Sequence, residues 1–136
     1  MKRYVIYLLK PEIREAYYRQ EETLYQFFML LESERKSKES GFVHTEEEAL
    51  TKEMPIASLI SELRLKPTEK SNKCAYRFDE EIALHLYKRR LIVEASSRIG
   101  AEWDVFSQLQ QIDTCFFAYE EKSGKYGWLK PMKVQV

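Results

Sequence analysis

An unbroken apolar run, Val5-Ile6-Tyr7-Leu8-Leu9, leads straight into the longest helical stretch of the chain, and no other feature limits the fold as much. The run is short and rich in β-branched and aromatic residues, as in a strand buried on both faces. Lys10 and Pro11 end it. Proline has no N–H to lose at the first helical position, so Pro11 closes the strand and opens the helix. Glu12 and Glu15 follow where negative charge is favoured, and no glycine or proline intervenes before Leu31. At helical spacing Ile13, Tyr17, Leu24, Phe28 and Leu31 share one face, with Phe27 beside them. Tyr18, Tyr25 and Met29 form a second, narrower stripe. One stripe docks a helix on a sheet. The second has either more protein over it or a partner, since exposed tyrosine clusters favour interfaces.

Further elements follow from spacing. Residues 32–41 read as a helix end running into a loop, and Thr45 before Glu46-Glu47-Glu48 as the cap of a short helix over 46–52. Pro55 starts another helix, with Ile56, Leu59, Ile60 and Leu63 on its buried face. Residues 68–73 form a polar connector. Strands are expected at 75–78, 82–87 and 91–95, the last two joined as a hairpin through Lys88-Arg89-Arg90. Ser96 and Ser97 are positioned to cap a helix over 99–112 whose face is Trp103, Phe106 and Leu109, flanked by Val105 and Ile112. Residues 115–119 are strand-like, residues 120–125 a charged turn, and Tyr126-Gly127-Trp128-Leu129 pins a last segment to the sheet before Lys130–Pro131. The expected fold is α+β: a largely antiparallel sheet of about five strands under three or four helices, in the order β-α-α-β-β-β-α-β. At 136 residues, a single domain over 1–136 is expected.

Charge and motif content narrow the function. Lys plus Arg and Asp plus Glu both number 22, a formal net charge of zero, which argues against a general nucleic-acid binder. Lys88–Arg90 offers a local basic patch, most simply a solvated hairpin tip, and Glu46–Glu48 most simply a solvated helix start. Cys74 and Cys115 lie far apart among apolar neighbours and read as buried thiols in a reducing compartment. The apolar run after Met1-Lys2-Arg3 is too short for a signal peptide and lacks a cleavage site. No run approaches a membrane span. A cytoplasmic protein is expected. His44 in a loop and His85 in a strand have no metal-ligand spacing, and no metal site is expected. Four glycines leave no material for a glycine-rich phosphate cradle. The element order is similar to that of the acetyl-CoA-dependent N-acetyltransferases. The loop that would bind pyrophosphate there corresponds to Ser97-Arg98-Ile99-Gly100-Ala101, which lacks the needed glycine spacing. An N-acetyltransferase, or a degenerate nucleotide-binding relative, is the alternative to a binding module.

The opening Tyr4-Val5-Ile6-Tyr7-Leu8-Leu9-Lys10-Pro11-Glu12, continuing through Tyr17, Tyr18 and Tyr25-Gln26-Phe27-Phe28, resembles the SirA family of sporulation inhibitors of replication. Met54-Pro55-Ile56 with Leu63, Cys115-Phe116, and most specifically Lys125-Tyr126-Gly127-Trp128-Leu129-Lys130-Pro131 extend the match along nearly the whole chain. The resemblance implies a protein that binds the N-terminal domain of the initiator DnaA and blocks replication at the onset of sporulation. It implies no catalysis and no cofactor. From the charge balance and the apolar run lengths, no direct nucleic-acid or membrane contact is expected, and a monomer is expected. The family's contact positions fall on Ile13, Tyr17 and Glu48, where the family pattern has an aromatic in place of Ile13 and Gln in place of Glu48. Glutamate cannot donate as a Gln amide can. On a straight helix Ile13 and Tyr17 would share the core face of Leu24 and Phe28. Both placements hold if the helix breaks near residues 19–22 or its first turns overhang the sheet, and a break is expected.

Overall fold

The computed structural model describes residues 1–37, 43–68 and 75–129, without the side chains of residues 36, 37 and 43–45. Cys74, Lys130 and Pro131 lie outside the described residues, as do most of the expected 68–73 connector and the 38–41 end of the first loop. The elements run β1 (Lys2–Leu8), α1 (Pro11–Ala16), α2 (Glu21–Ser37), α3 (Val43–Leu50), α4 (Ile56–Glu62), β2 (Lys66–Pro67), β3 (Ala75–Arg77), β4 (Ile82–Leu86), β5 (Leu91–Ala95), α5 (Trp103–Ile112), β6 (Phe116–Glu120) and β7 (Tyr126–Trp128). This is the expected α+β class. Among the described residues the sheet has seven strands in the order β2-β3-β4-β5-β1-β6-β7, every pairing antiparallel. The strands beyond the expected five include the two-residue β2, too short to carry an alternation.

β1 lies inside the sheet, paired with β5 on one side and β6 on the other. Its residues therefore supply both faces. Ile6 and Leu8 pack with Leu84, Val93 and Phe116 and with Leu59 of α4 and Val105 and Leu109 of α5. Val5, Tyr7 and Leu9 pack on the opposite face with Leu24, Phe28 and Leu31 of α2, Phe117 and Trp128. The Tyr7 ring stacks on Phe28 at 4.1 Å. Burial of such rings is the main favourable term in a fold of this size.

Three local expectations are corrected. The α5 face is Val105 and Leu109, while Trp103 is 49% exposed, because the helix starts only at Trp103 after turns over 96–102. Ser96 does not cap α5: its hydroxyl donates to Glu81 and accepts from the Arg98 N–H, and the N-cap is Glu102. Gly100 has φ +78°, and a Cβ there would lie 3.0 Å from the Trp103 ring. That glycine serves a close approach by the indole. The 46–52 helix, in turn, begins earlier, at Val43, so His44 and Thr45 sit inside it. Cys115 is buried and free, and burial raises its thiol above the ordinary range.

Asp113 ties the two layers together at the end of α5. Its carboxylate accepts from the Cys115 N–H (2.9 Å) and from Lys52 Nζ (3.0 Å). Burial works against its charge, but these two donors outweigh that and hold it below the usual carboxylate range. A depressed folded pKa gives stability that is present above the unfolded value, about 3.9, and lost as pH falls through the folded one. Asp113→Asn is therefore expected to lower the urea midpoint at pH 7, with the gap to wild type closing below about pH 4. A gap that persisted into acid would rule out the carboxylate charge as its source.

Candidate docking surface

The expected break is present. α1 stops at Ala16, Arg19 takes φ +68° in the left-handed region, and α2 starts at Glu21. α1 has no buried residue, and its Ile13 and the following Tyr17 are half-buried, packed on the α2 face of the sheet. Leu24 and Phe28 beyond the break are fully buried. The second stripe divides. Tyr25 is covered by the last hairpin, stacked on Tyr126 at 4.7 Å and edge-on to Tyr119 at 5.5 Å. Tyr18 is 65% exposed and Met29 is also exposed.

Trp128 holds the break in place. Its ring meets Phe117 edge-on at 5.3 Å, its Nε1 donates to Glu21 at the start of α2 (3.2 Å), and Arg14 of α1 lies over it at 5.5 Å. One indole thus contacts both helices flanking the turn. Tyr126-Gly127-Trp128 does pin the last strand to the sheet, as its aromatic content suggests.

α3 lies beside this corner. Its C-terminal end is stitched to the end of β1: Lys10 N–H donates to the Leu50 carbonyl (3.1 Å) and Lys52 N–H to the Leu8 carbonyl (2.8 Å). Between α3 and the α1–α2 corner runs a shallow groove of about 330 Å³, lined by Tyr17, Thr23, Leu24, Phe27, Glu46, Ala49 and Leu50. Leu30, 62% exposed, follows Phe27 at i+3. On the other flank of α3 lies a second concavity of about 350 Å³, lined by Arg35, Glu47, Glu48, Tyr87, Lys88, Arg89 and Arg90. Glu48 is exposed there. Tyr17 and Glu48 therefore line neighbouring hollows on opposite sides of one helix.

Beneath α3 is a polar cluster that the charge pattern hid. Glu32 accepts from the Tyr7 hydroxyl (2.6 Å) and from Arg35 Nε (3.3 Å). Arg90 NH1 lies 3.4 Å from the same oxygen; Arg90 Nε is at 3.2 Å but is not aligned for a hydrogen bond. Arg35 continues to Glu47 of α3. Glu47 is 2% exposed, so Glu46–Glu48 is not simply a solvated helix start. Nor is Lys88–Arg90 a solvated tip. Arg90 covers the Tyr87 ring at 4.4 Å, and Arg89 donates to the Thr51 carbonyl at 3.0 Å. Only Lys88 of the three is fully at the surface, 3.4 Å from Glu53. Buried charges persist when paired, and here two carboxylates face two guanidiniums. Burial, then the Glu32 carboxylate, hold the Tyr7 phenol well above its usual range, so it remains a donor. His85 sits 2.6 Å from Glu94 on the neighbouring strand, as a structural histidine. Among the described residues no cluster of His, Cys, Asp and Glu is arranged to hold a metal, and no helix is long and apolar enough to cross a membrane.

These features define an α+β protein with a broken first helix and a third helix that together present an apolar groove at one end of the sheet. The chain belongs to the SirA family: residues 2–133 match the family described as sporulation inhibitor of replication protein SirA. It is similar to the sporulation inhibitor of replication protein SirA of Bacillus subtilis (strain 168), 28% identical over 144 residues that cover 97% of this chain and 95% of that protein.

Proposed function

We propose that this protein is a non-catalytic inhibitor of replication initiation that acts in the cytoplasm as a single-domain monomer. It docks on the N-terminal domain of DnaA when the cell commits to sporulation. Membership of a family named for sporulation inhibition of replication supports the biological setting. The observation that carries the docking reading is Tyr17, half-buried beside the helix break and on the wall of the α3 groove. A tyrosine so placed loses little freedom on binding and offers both an apolar ring and a hydroxyl, which is why such residues dominate interface energies. Ile13, one turn earlier, adds an apolar contact, and Glu48 across α3 adds a polar rim.

Calorimetry with the isolated N-terminal domain of the host's DnaA tests this. Tyr17→Ala is expected to weaken binding by about 2 kcal/mol or more, roughly 30-fold, with an unchanged circular dichroism spectrum. Undiminished affinity in the folded variant would remove Tyr17 from the interface. Saturable binding of acetyl-CoA would overturn the non-catalytic reading.

A further inference from the structure

We propose that Arg35 is a positioning residue for the docking surface: from beneath α3 it sets the angle at which that helix meets the α1–α2 corner. The inference rests on the docking reading above. α3 is fixed unequally along its length. At its C-terminal end the backbone bonds to β1 and the Arg89–Thr51 contact hold it. There the Thr51 N–H and hydroxyl also return to the Glu47 carbonyl at 2.9 and 2.6 Å. One turn earlier, the carboxylate of Glu47 meets the guanidinium of Arg35, which bonds Glu32 as well. Glu32 is in turn held by Tyr7 of the central strand. Arg35 is thus a link through which the body of α3 is referred to the sheet.

The groove depends on that link. Glu46, Ala49 and Leu50 form its α3 wall, and Tyr17, Thr23 and Phe27 the wall opposite. With its last residues held and the Arg35 contact at Glu47 gone, α3 shifts by straining its closing turn, where the Thr51 N–H meets the Glu47 carbonyl, and this alters the width of the groove without touching Tyr17. A partner binding such a loosened surface must re-order it, and that cost appears as lost affinity. Arg35 is itself partly buried on the far flank of α3, in the second concavity.

The test uses the full chain, with Arg35→Met, the double variant Arg35→Met/Glu47→Met, and Tyr17→Ala as reference. Hydrogen exchange is read first, with no partner present. In Arg35→Met the Thr51 amide is expected to lose about tenfold in protection while amides of β1 keep theirs. Affinity for the DnaA N-terminal domain is expected to fall about tenfold. Replacing both charges by methionines restores an uncharged contact of similar volume, since a buried ion pair can be exchanged for apolar packing at little cost. The double variant should therefore recover both the Thr51 protection and the affinity. Unchanged Thr51 exchange in Arg35→Met overturns the proposal. So does lost affinity that the double variant fails to recover, because the guanidinium would then be needed by the partner itself. Failure of the docking reading looks different: Tyr17→Ala would bind as wild type, while the exchange result still reports on Arg35.

Discussion

Glu32→Ala is expected to destabilise the protein by about 3–5 kcal/mol, measured as a fall in the urea unfolding free energy at pH 7. The carboxylate accepts from Tyr7 and Arg35 and lies against Arg90. Removing it strands a buried phenol and leaves two guanidiniums facing each other with less negative charge between them. Truncating one member of a buried ionic cluster costs more than the cluster's net worth, because the desolvated partners stay behind. Glu32→Gln keeps an acceptor for Tyr7 but not the charge, so a smaller loss, about 1–2 kcal/mol, is expected. Equal losses in the two variants would show that the charge carries the whole effect, and that side-chain volume and the acceptor for Tyr7 carry none of it. A loss under about 1 kcal/mol in Glu32→Ala would mean that water solvates the cluster in solution.

Trp128→Ala should cost about 3–5 kcal/mol and also weaken docking. The indole is buried against Phe117 and bridges Arg14 to Glu21. Removing it leaves a cavity under the helix break, and α1, which has no buried residue, loses one of its holds. Ile13 and Tyr17 would then be presented over a wider range of positions, and the partner would bear the ordering cost. Trp128→Phe retains much of the packing and gives up the Nε1 hydrogen bond, for about 1 kcal/mol. Thermal unfolding and calorimetry on both variants separate the effects. If Trp128→Ala bound as tightly as wild type at a temperature where both are folded, the indole would serve the sheet alone.

The parts of the fold that are legible in the sequence are those ruled by short-range periodicity. The β4–β5 hairpin lies within the expected strands, and the continuous apolar run of β1 is buried on both faces. The helix break had no local signal, since Arg19 is neither glycine nor asparagine and still takes a left-handed conformation. It followed from a contradiction: Ile13 and Tyr17 at the surface and Leu24 and Phe28 in the core cannot share one straight helix. What stayed hidden were the buried charges. Glu32, Glu47 and Arg90 occur in charged stretches that look solvated. Arg35 stands only three residues from Glu32, but the contacts that close the cluster, Tyr7 and Arg90 to Glu32 and Arg35 to Glu47, join residues 12 to 58 apart. No single helical turn contains them. Trp103 differs for a related reason: spacing groups it with Phe106 and Leu109, but it is the first residue of α5, and the preceding turns set its ring over Gly100 at the surface. Of the candidate contacts, Ile13 and Tyr17 share the broken-helix corner, whereas Glu48 lies across α3 because Glu47 beside it turns inward toward Arg35.

Among the described residues one margin of the sheet is β2, which is two residues long and consists of a lysine and a proline. A sheet margin invites a neighbouring molecule to add its own strand when several amides in a row lie unsatisfied and the flank is neutral. Here one of the two residues has no amide hydrogen and the other carries a cation, so a second copy finds almost nothing to zip onto. A chain with an even balance of charge has little long-range repulsion to keep its copies apart. On that side of the sheet, the brevity of its margin guards against fibrillar stacking.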